Sequence, residues 1–149
     1  MSKKARSEAA RVASLIRANK AEYYIADVEL DNSPDICATV ELANKTLGKL
    51  KCAFLLVSAN SAVLTTAAYV PENLQDKINA KDWQDAIWKN YVNLKHIGYN
   101  SDTESIREFP SDDAFKLKDI VRADGFKYLS DHGCLGDADS SDEYNLDDL

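Results

Sequence analysis

The sequence is poor in the residues and runs that mark several classes of protein. Its 149 residues include only five glycines and three prolines, too few for a collagen-like or linker-rich chain. No apolar run reaches the roughly 18 residues of a membrane-spanning helix, and no basic segment leads into the apolar core of a secretory signal. The three cysteines form no motif. We therefore expect reduced thiols, a cytoplasmic location and no membrane partner.

Motifs that carry enzyme chemistry are also missing. There is no glycine-rich phosphate-binding motif, no nucleophile elbow and no zinc-protease helix. The two histidines, His96 and His132, lack the spacing to cysteine or to each other that zinc ligands show. His132 and Cys134 stand in an acidic end where no scaffold would hold a catalytic pair. We expect no catalytic residue and no metal or cofactor site in this chain.

Acidic residues are unevenly distributed. The net charge is −7, yet the last twenty residues hold seven acids and no Lys or Arg, so the rest of the chain is neutral. The sequence predicts a basic helix at residues 1–20, ending a longer helical region, then a globular domain at 21–129 and a disordered acidic tail at 130–149. Two interpretations of the tail stay open: a solubilising end, or a mimic of nucleic acid that guards a basic surface.

Hydrophobic periodicity predicts an α/β fold, in which a small, mostly antiparallel sheet packs against helices after an N-terminal helix. Its elements are strands at 22–30, 52–59 and 62–70 and helices at 34–50, 79–92 and 111–124. Residues 93–110 show little periodicity and are predicted to be a loop or an irregular strand-like passage.

Single residues mark the predicted helix ends. Ser33 is expected to cap the helix that Pro34 opens, and Asn79 to cap the helix carrying Trp83. Gly125 is expected to end the last helix, since glycine is the usual residue just beyond a helix C-terminus. Trp88 lies off the apolar stripe of its helix and is expected to be exposed.

The segment VPENLQDKINAKDWQDAI carries a family resemblance. It resembles the VP-x-x-L-x-x-K-x-x-A-x-x-W stretch of the C-terminal domain of alanyl-tRNA synthetase (the C-Ala domain, of the DHHA1 superfamily), and the order of elements over about residues 8–90 is also similar. The matching residues are Val70, Pro71, Leu74, Lys77, Ala80 and Trp83. The resemblance implies a structural role for all of these except Lys77.

The resemblance also implies a function. In that family the domain is a non-catalytic part of an alanine–tRNA ligase, binds the tRNA elbow and links aminoacylation to editing during protein biosynthesis. The implied partners are tRNA-Ala, the upstream synthetase domains and a second copy in a homodimer. ATP, magnesium and zinc are expected only in the upstream domains of the parent enzyme.

One departure from the family concerns its glycine-rich RNA-contacting loop. Residues 90–109 stand in its place and hold one glycine, Gly98, with three acids, Asp102, Glu104 and Glu108. Side chains keep the backbone away from phosphate and the acids repel it, so we expect weak tRNA contact. The candidate nucleic-acid-binding residues are Lys77, Lys81, Lys89, Lys95 and Gly98.

The same lysines also fit an ordinary amphipathic helix, since Asp76, Asp82 and Asp85 lie among them. Two further alternatives stay open. One is a protein-interaction or dimerisation module with the same fold. The other is a stand-alone relative or a fragment of a phosphoesterase of the superfamily.

Overall fold

A computed structural model describes residues 2–134 of the chain. Met1 and residues 135–149, which include most of the predicted acidic tail, lie outside the described residues. The strands are β1 (Tyr23–Asp27), β2 (Ala53–Ala59), β3 (Val63–Tyr69), β4 (Lys95–Asn100) and β5 (Glu104–Pro110). The helices are α1 (Lys3–Asn19), α2 (Ser33–Leu47), α3 (Ala80–Trp88) and α4 (Ala114–Asp131).

The strands form one mixed sheet in the order β1-β2-β3-β5-β4. β1 and β2 are parallel and joined by α2, because parallel neighbours need a crossover connection. The other three pairings are antiparallel. This arrangement confirms the predicted α/β class with a mostly antiparallel sheet.

Helices cover the sheet on both faces, which is why β2 is an unbroken apolar run. Phe54 and Leu56 point towards α1 and α2, whereas Leu55 and Val57 point towards α3 and α4. All four side chains have no exposed surface. The burial of two cysteines is consistent with this packing, since Cys52 is buried and Cys37 is half-buried.

The predicted cap of α2 is off by one residue. Asn32 is the N-cap, and its side-chain oxygen accepts a hydrogen bond from the backbone N–H of Asp35 at 2.9 Å. Ser33 is instead the first helical residue, and its hydroxyl donates to Glu108 Oε2 at 2.5 Å. The cap of α3 is as predicted, because Asn79 Oδ1 accepts from the Asp82 N–H at 2.8 Å.

The predicted end of the last helix is wrong, since α4 continues past Gly125 to Asp131. A Cβ at position 125 would lie 3.0 Å from Leu55 Cδ2 and 3.1 Å from Ile25 Cδ1. Glycine suits this position because a larger residue would press against these two side chains, where α4 approaches the sheet closely. A glycine serving this purpose and a glycine ending a helix look the same in sequence.

Trp88 is also not where it was expected, because it is buried rather than exposed. Its indole N–H lies 3.0 Å from Thr66 Oγ1 and 3.1 Å from Gln84 Oε1. Gln84 is fully buried, and its amide N–H groups donate to the backbone oxygens of Thr66 and Ser105. The polar atoms that accompany Trp88 into the core are thus hydrogen-bonded, as burial requires.

Residues 93–110, expected to be irregular, contain the β4–β5 hairpin. β4 is the outer strand of the sheet, and its pairing with β5 is interrupted between His96 and Asn100. Gly98 lies in this interruption with φ of 65°, a left-handed conformation that favours glycine. This bulge interrupts the alternation of side chains between the two faces of the sheet, which is the pattern that identifies a strand in a sequence.

Candidate nucleic-acid interface

The residues of the family resemblance build one side of the core. Val70, Leu74, Ala80 and Trp83 all belong to the buried cluster between the sheet, α3 and α4. The indole N–H of Trp83 donates to the backbone oxygen of Gly125 at 3.3 Å. These contacts give the spacing of the motif a packing role, because each of these four side chains is part of this buried cluster.

The same segment holds the β4–β5 turn in place. The backbone N–H of Val70 donates to the Thr103 oxygen, and that of Ala80 donates to the Asp102 oxygen, each at 2.8 Å. Gln75 adds hydrogen bonds from its amide to the oxygen of Val70 and the hydroxyl of Thr103. The β4–β5 hairpin is therefore anchored where α3 begins.

The three acids in this hairpin are not equivalent. Asp102 is exposed, but Glu108 accepts the hydrogen bond from Ser33. Glu104 is half-buried, and burial together with the nearby carboxylate of Glu41 raises its pKa to about 7. Only Asp102 thus presents a freely exposed carboxylate, so repulsion of phosphate here is smaller than the sequence suggests.

The four candidate lysines do not form one cluster. Lys77 lies beside the end of α4, where its ammonium donates to the Gly133 oxygen at 3.2 Å, and Lys81 is in the first turn of α3. Lys89 caps the other end of α3, about 12 Å further along the helix axis. Lys95 pairs in register with Glu108 on β5. The position of Gly98 is explained by its backbone conformation, because a Cβ there would touch nothing.

A denser group of bases lies where α1 and α2 end. The two helices run in the same direction. The hydroxyl of Thr39, near the middle of α2, donates to the Ala5 oxygen near the start of α1, and Arg17 donates to the Thr46 oxygen near the ends of both helices. The basic end, as we call this group, comprises Arg17, Lys20, Lys45, Lys49 and Lys51. All five are exposed, and none forms an ion pair within residues 2–134.

Sequence reasoning identified the basic helix at residues 1–20 but missed that Lys45, Lys49 and Lys51 lie beside its end, because the two groups come from separate segments. The run of three lysines between residues 45 and 51 without an acid was the available signal. Glu22 and Glu41 are the acids nearest along the chain, and neither pairs with these bases. The negative end of a helix dipole attracts bases at a helix C-terminus. Gathering these bases at the ends of α1 and α2 therefore costs little folding free energy.

The open cleft of about 840 Å³ between α1 and α4 has a different character. It lies at the carboxyl ends of β1 and β2, and its bases are already engaged. Lys4 pairs with Asp31 at 3.5 Å, and Arg11 pairs with Glu8 at 2.9 Å. Lys118 is 3.6 Å from Asp27. Because each cation has an internal partner, this cleft offers phosphate little net attraction.

Catalytic and metal-binding arrangements are sparse in the described part of the chain. No group of three or more His, Cys, Asp or Glu side chains within residues 2–134 could hold a metal ion. His132 and Cys134 do not pair through their side chains, since His132 Nδ1 contacts the Tyr128 oxygen. Among residues 2–134, none of the helices has both the length and the apolarity that crossing a membrane requires.

Comparison with known proteins finds similarity only among solved structures. No family model and no curated protein matches the sequence. The C-Ala domain from Aquifex aeolicus alanyl-tRNA synthetase is similar with a TM-score of 0.47 and 15% identity, over 66% of this chain and 89% of that chain. The likeness to a C-Ala domain expected from residues 70–83 is found in this comparison.

A second similar structure is CDC45 from Entamoeba histolytica. It has a TM-score of 0.47 and 9% identity over 81% of this chain. This chain spans only 28% of that protein. Similarities at this level do not distinguish between functions.

Proposed function

We propose that this chain is a non-catalytic tRNA-binding module related to the C-terminal domain of alanine–tRNA ligases, and that the basic end contacts the tRNA. The observation that carries the proposal is the set of five exposed bases without ion pairs at the ends of α1 and α2. Unpaired bases gathered on one surface are the electrostatic footprint of phosphate binding. The resemblance of residues 70–83 supports tRNA, bound at its elbow, as the nucleic acid in this proposal.

Binding on this proposal is weak and depends on salt. The described residues hold all 18 bases but also 19 of the 25 acids, so they lack the overall positive charge of a strong nucleic-acid binder. The glycine-rich loop through which the family's backbone approaches RNA is absent. If the basic end neutralises four or five phosphates, the logarithm of affinity falls with the logarithm of salt with a slope of about −4.

Two triple variants with the same change in charge test which lysines bind tRNA. The first carries Lys45→Gln, Lys49→Gln and Lys51→Gln in the basic end. The matched control carries Lys81→Gln, Lys89→Gln and Lys95→Gln, from the set predicted by sequence alone. Affinity for labelled tRNA-Ala is measured by fluorescence anisotropy over a range of salt.

The proposal predicts different affinities for the two triple variants. We expect the first variant to lose about tenfold or more in affinity and to flatten the salt slope by about 2–3, with a much smaller loss in the control. A larger loss in the control would place the contact on α3 and β4 instead. Equal losses, or no binding by the unaltered chain, would refute the proposed interface.

The proposal includes the context of the module. We take the chain to act in the cytoplasm as the C-terminal part of an alanine–tRNA ligase, whose upstream domains bind ATP, magnesium and zinc. There the module would link aminoacylation to editing on one tRNA. The reading frame around the coding sequence tests this, since the proposal requires synthetase domains upstream.

A protein-interaction or dimerisation module is the second candidate, and the β4 edge favours it. Outer strands have unpaired backbone groups that can bind another chain, and Tyr99 on β4 is 52% exposed. Sedimentation velocity should distinguish the two functions. A dimer abolished by Tyr99→Glu but retained by Phe115→Glu, which changes a similarly exposed ring on α4, would support this candidate. A monomer would exclude self-association.

A further inference from the structure

We propose that the acidic segment of residues 135–149 binds back onto the basic end and competes there with nucleic acid. The inference rests on the proposed function only for the identity of the competitor. The contact between the two parts of the chain is a separate claim with its own test.

Charge complementarity is the first argument. The segment carries six of the chain's 25 acids and none of its 18 bases, so it accounts for −6 of the net charge of −7. The acids are Asp137, Asp139, Asp142, Glu143, Asp147 and Asp148. The basic end is a described surface that brings together five exposed bases without ion pairs within residues 2–134.

The second argument is the position of residue 134, after which the acidic segment begins. Cys134, the last described residue, packs against the buried cluster that contains Tyr23, the first residue of β1, and acts electrostatically on the Tyr23 hydroxyl. Lys77 holds the preceding residue through the Gly133 oxygen. The segment therefore leaves the body at the amino ends of β1 and β2. This is the end of the molecule at which α1 and α2 finish.

Distances along the chain bring the bases within reach. Lys20 precedes Tyr23 by three residues, which limits their Cα separation to about 11 Å. Lys51 precedes Ala53 by two residues, and Ala53 pairs with Tyr23 across the β1–β2 ladder. A segment of 15 residues can extend to about 50 Å. Its first acid, Asp137, is only three residues beyond Cys134.

Two acids lie close to Cys134. Glu22 and Asp76 both act electrostatically on the Cys134 thiol and would repel the segment as it emerges. Their repulsion favours the neighbouring surface of opposite charge. Because the segment is tethered, its effective concentration there is in the millimolar range. Weak ion pairs that would not hold a free peptide can then compete with RNA.

The contact is tested first without RNA. A carbodiimide joins carboxylates to amines that already touch, and peptide mapping of the full chain identifies the joined residues. At low salt we expect the segment's carboxylates to join lysines of the basic end, and at about 0.5 M salt we expect these products to disappear. Products spread evenly over the exposed lysines, or confined to α3 and β4, would overturn the proposal.

The competition is tested with matched full-length variants. One replaces three acids of the segment through Asp137→Asn, Asp139→Asn and Asp142→Asn. The control replaces three exposed acids at the opposite end of the molecule through Asp112→Asn, Asp113→Asn and Asp119→Asn. We expect the first variant to bind tRNA about fivefold more tightly at low salt, and the control to change affinity by less than about twofold.

The two proposals can fail separately. If no variant binds tRNA but the cross-links to the basic end form, the proposed function is wrong and the intramolecular contact stands. If tRNA binding depends on the basic end while both acid variants behave alike and no cross-links form, the function stands and the inference is overturned.

Discussion

Glu104 offers the most quantitative prediction, because its carboxyl group is held in an unfavourable place. It lies on β5 facing α2, and its Oε2 has no hydrogen-bond partner within the described residues. Cys37 and Glu41 on α2 and Tyr69 on β3 are the titratable groups that interact with it. Burial and then Glu41 raise the Glu104 pKa from 4.5 to about 7.

The sign of the effect follows from proton binding. Between pH 4.5 and 7 the folded chain holds a proton on Glu104 that the unfolded chain has lost, so stability falls as pH rises through this range. The full pKa difference corresponds to about 3 kcal/mol. Because Glu104 is only half-buried, solvent screening reduces the expected cost at pH 8 to about 1–2 kcal/mol.

Replacing Glu104 with glutamine removes this cost. We expect Glu104→Gln to raise the free energy of unfolding by about 1–2 kcal/mol at pH 8, and by less than about 0.5 kcal/mol at pH 5. Urea unfolding followed by the fluorescence of the buried Trp83 and Trp88 measures both values. Glu72→Gln, at an exposed position, is the control and should change stability equally at the two pH values.

The outcome at pH 8 decides whether the reasoning is correct. Equal effects of Glu104→Gln at pH 5 and pH 8, or a loss of stability at pH 8, would refute an unfavourable ionised Glu104. Glu41→Gln should reproduce part of the gain at pH 8, since it removes the like charge but leaves the burial.

Three further substitutions test the packing. Gly125→Val should lower the free energy of unfolding by about 2–3 kcal/mol in urea, because its side chain collides with the sheet; a neutral result would contradict the close approach of α4. Gln84→Leu should cost about 2–4 kcal/mol in the same assay, since it removes the partners of buried polar groups, and an unchanged stability would show that this network contributes nothing. Asn79→Ala should cost about 1 kcal/mol through the lost cap of α3, while Asn73→Ala, at an exposed position before α3, should cost much less.

Local signals were sufficient for much of the fold. The unbroken apolar run of β2 predicted a strand covered on both faces, because only such a strand has no polar side. Asn79 was identified as a cap because its short side chain bonds a backbone N–H three residues away. The β2–β3 hairpin also followed from a polar turn between two apolar runs. Each of these inferences needed only neighbours in sequence.

Other predictions were wrong because distant residues decide them. Trp88 lies off the apolar stripe of α3 that includes Trp83. It is buried nevertheless, because α4 and the sheet together pack against more than one face of α3. The buried position then depends on Gln84 and Thr66, whose hydrogen bonds satisfy the indole. The β4–β5 hairpin was missed because its bulge at Gly98 interrupts the alternation of side chains.

The sequence by itself determined the α/β class, the central strand, the cap of α3 and the concentration of acid at one end. Those features depend on periodicity, local hydrogen bonding and composition, which are properties of neighbouring residues. Only the tertiary structure decided where charge is available on the surface. The parallel β1–α2–β2 crossover brings Lys45, Lys49 and Lys51 beside the end of α1, whereas ion pairs engage Lys4, Arg11 and Lys118 elsewhere. Whether a base is free for phosphate depends on which acids surround it, and that is settled by folding.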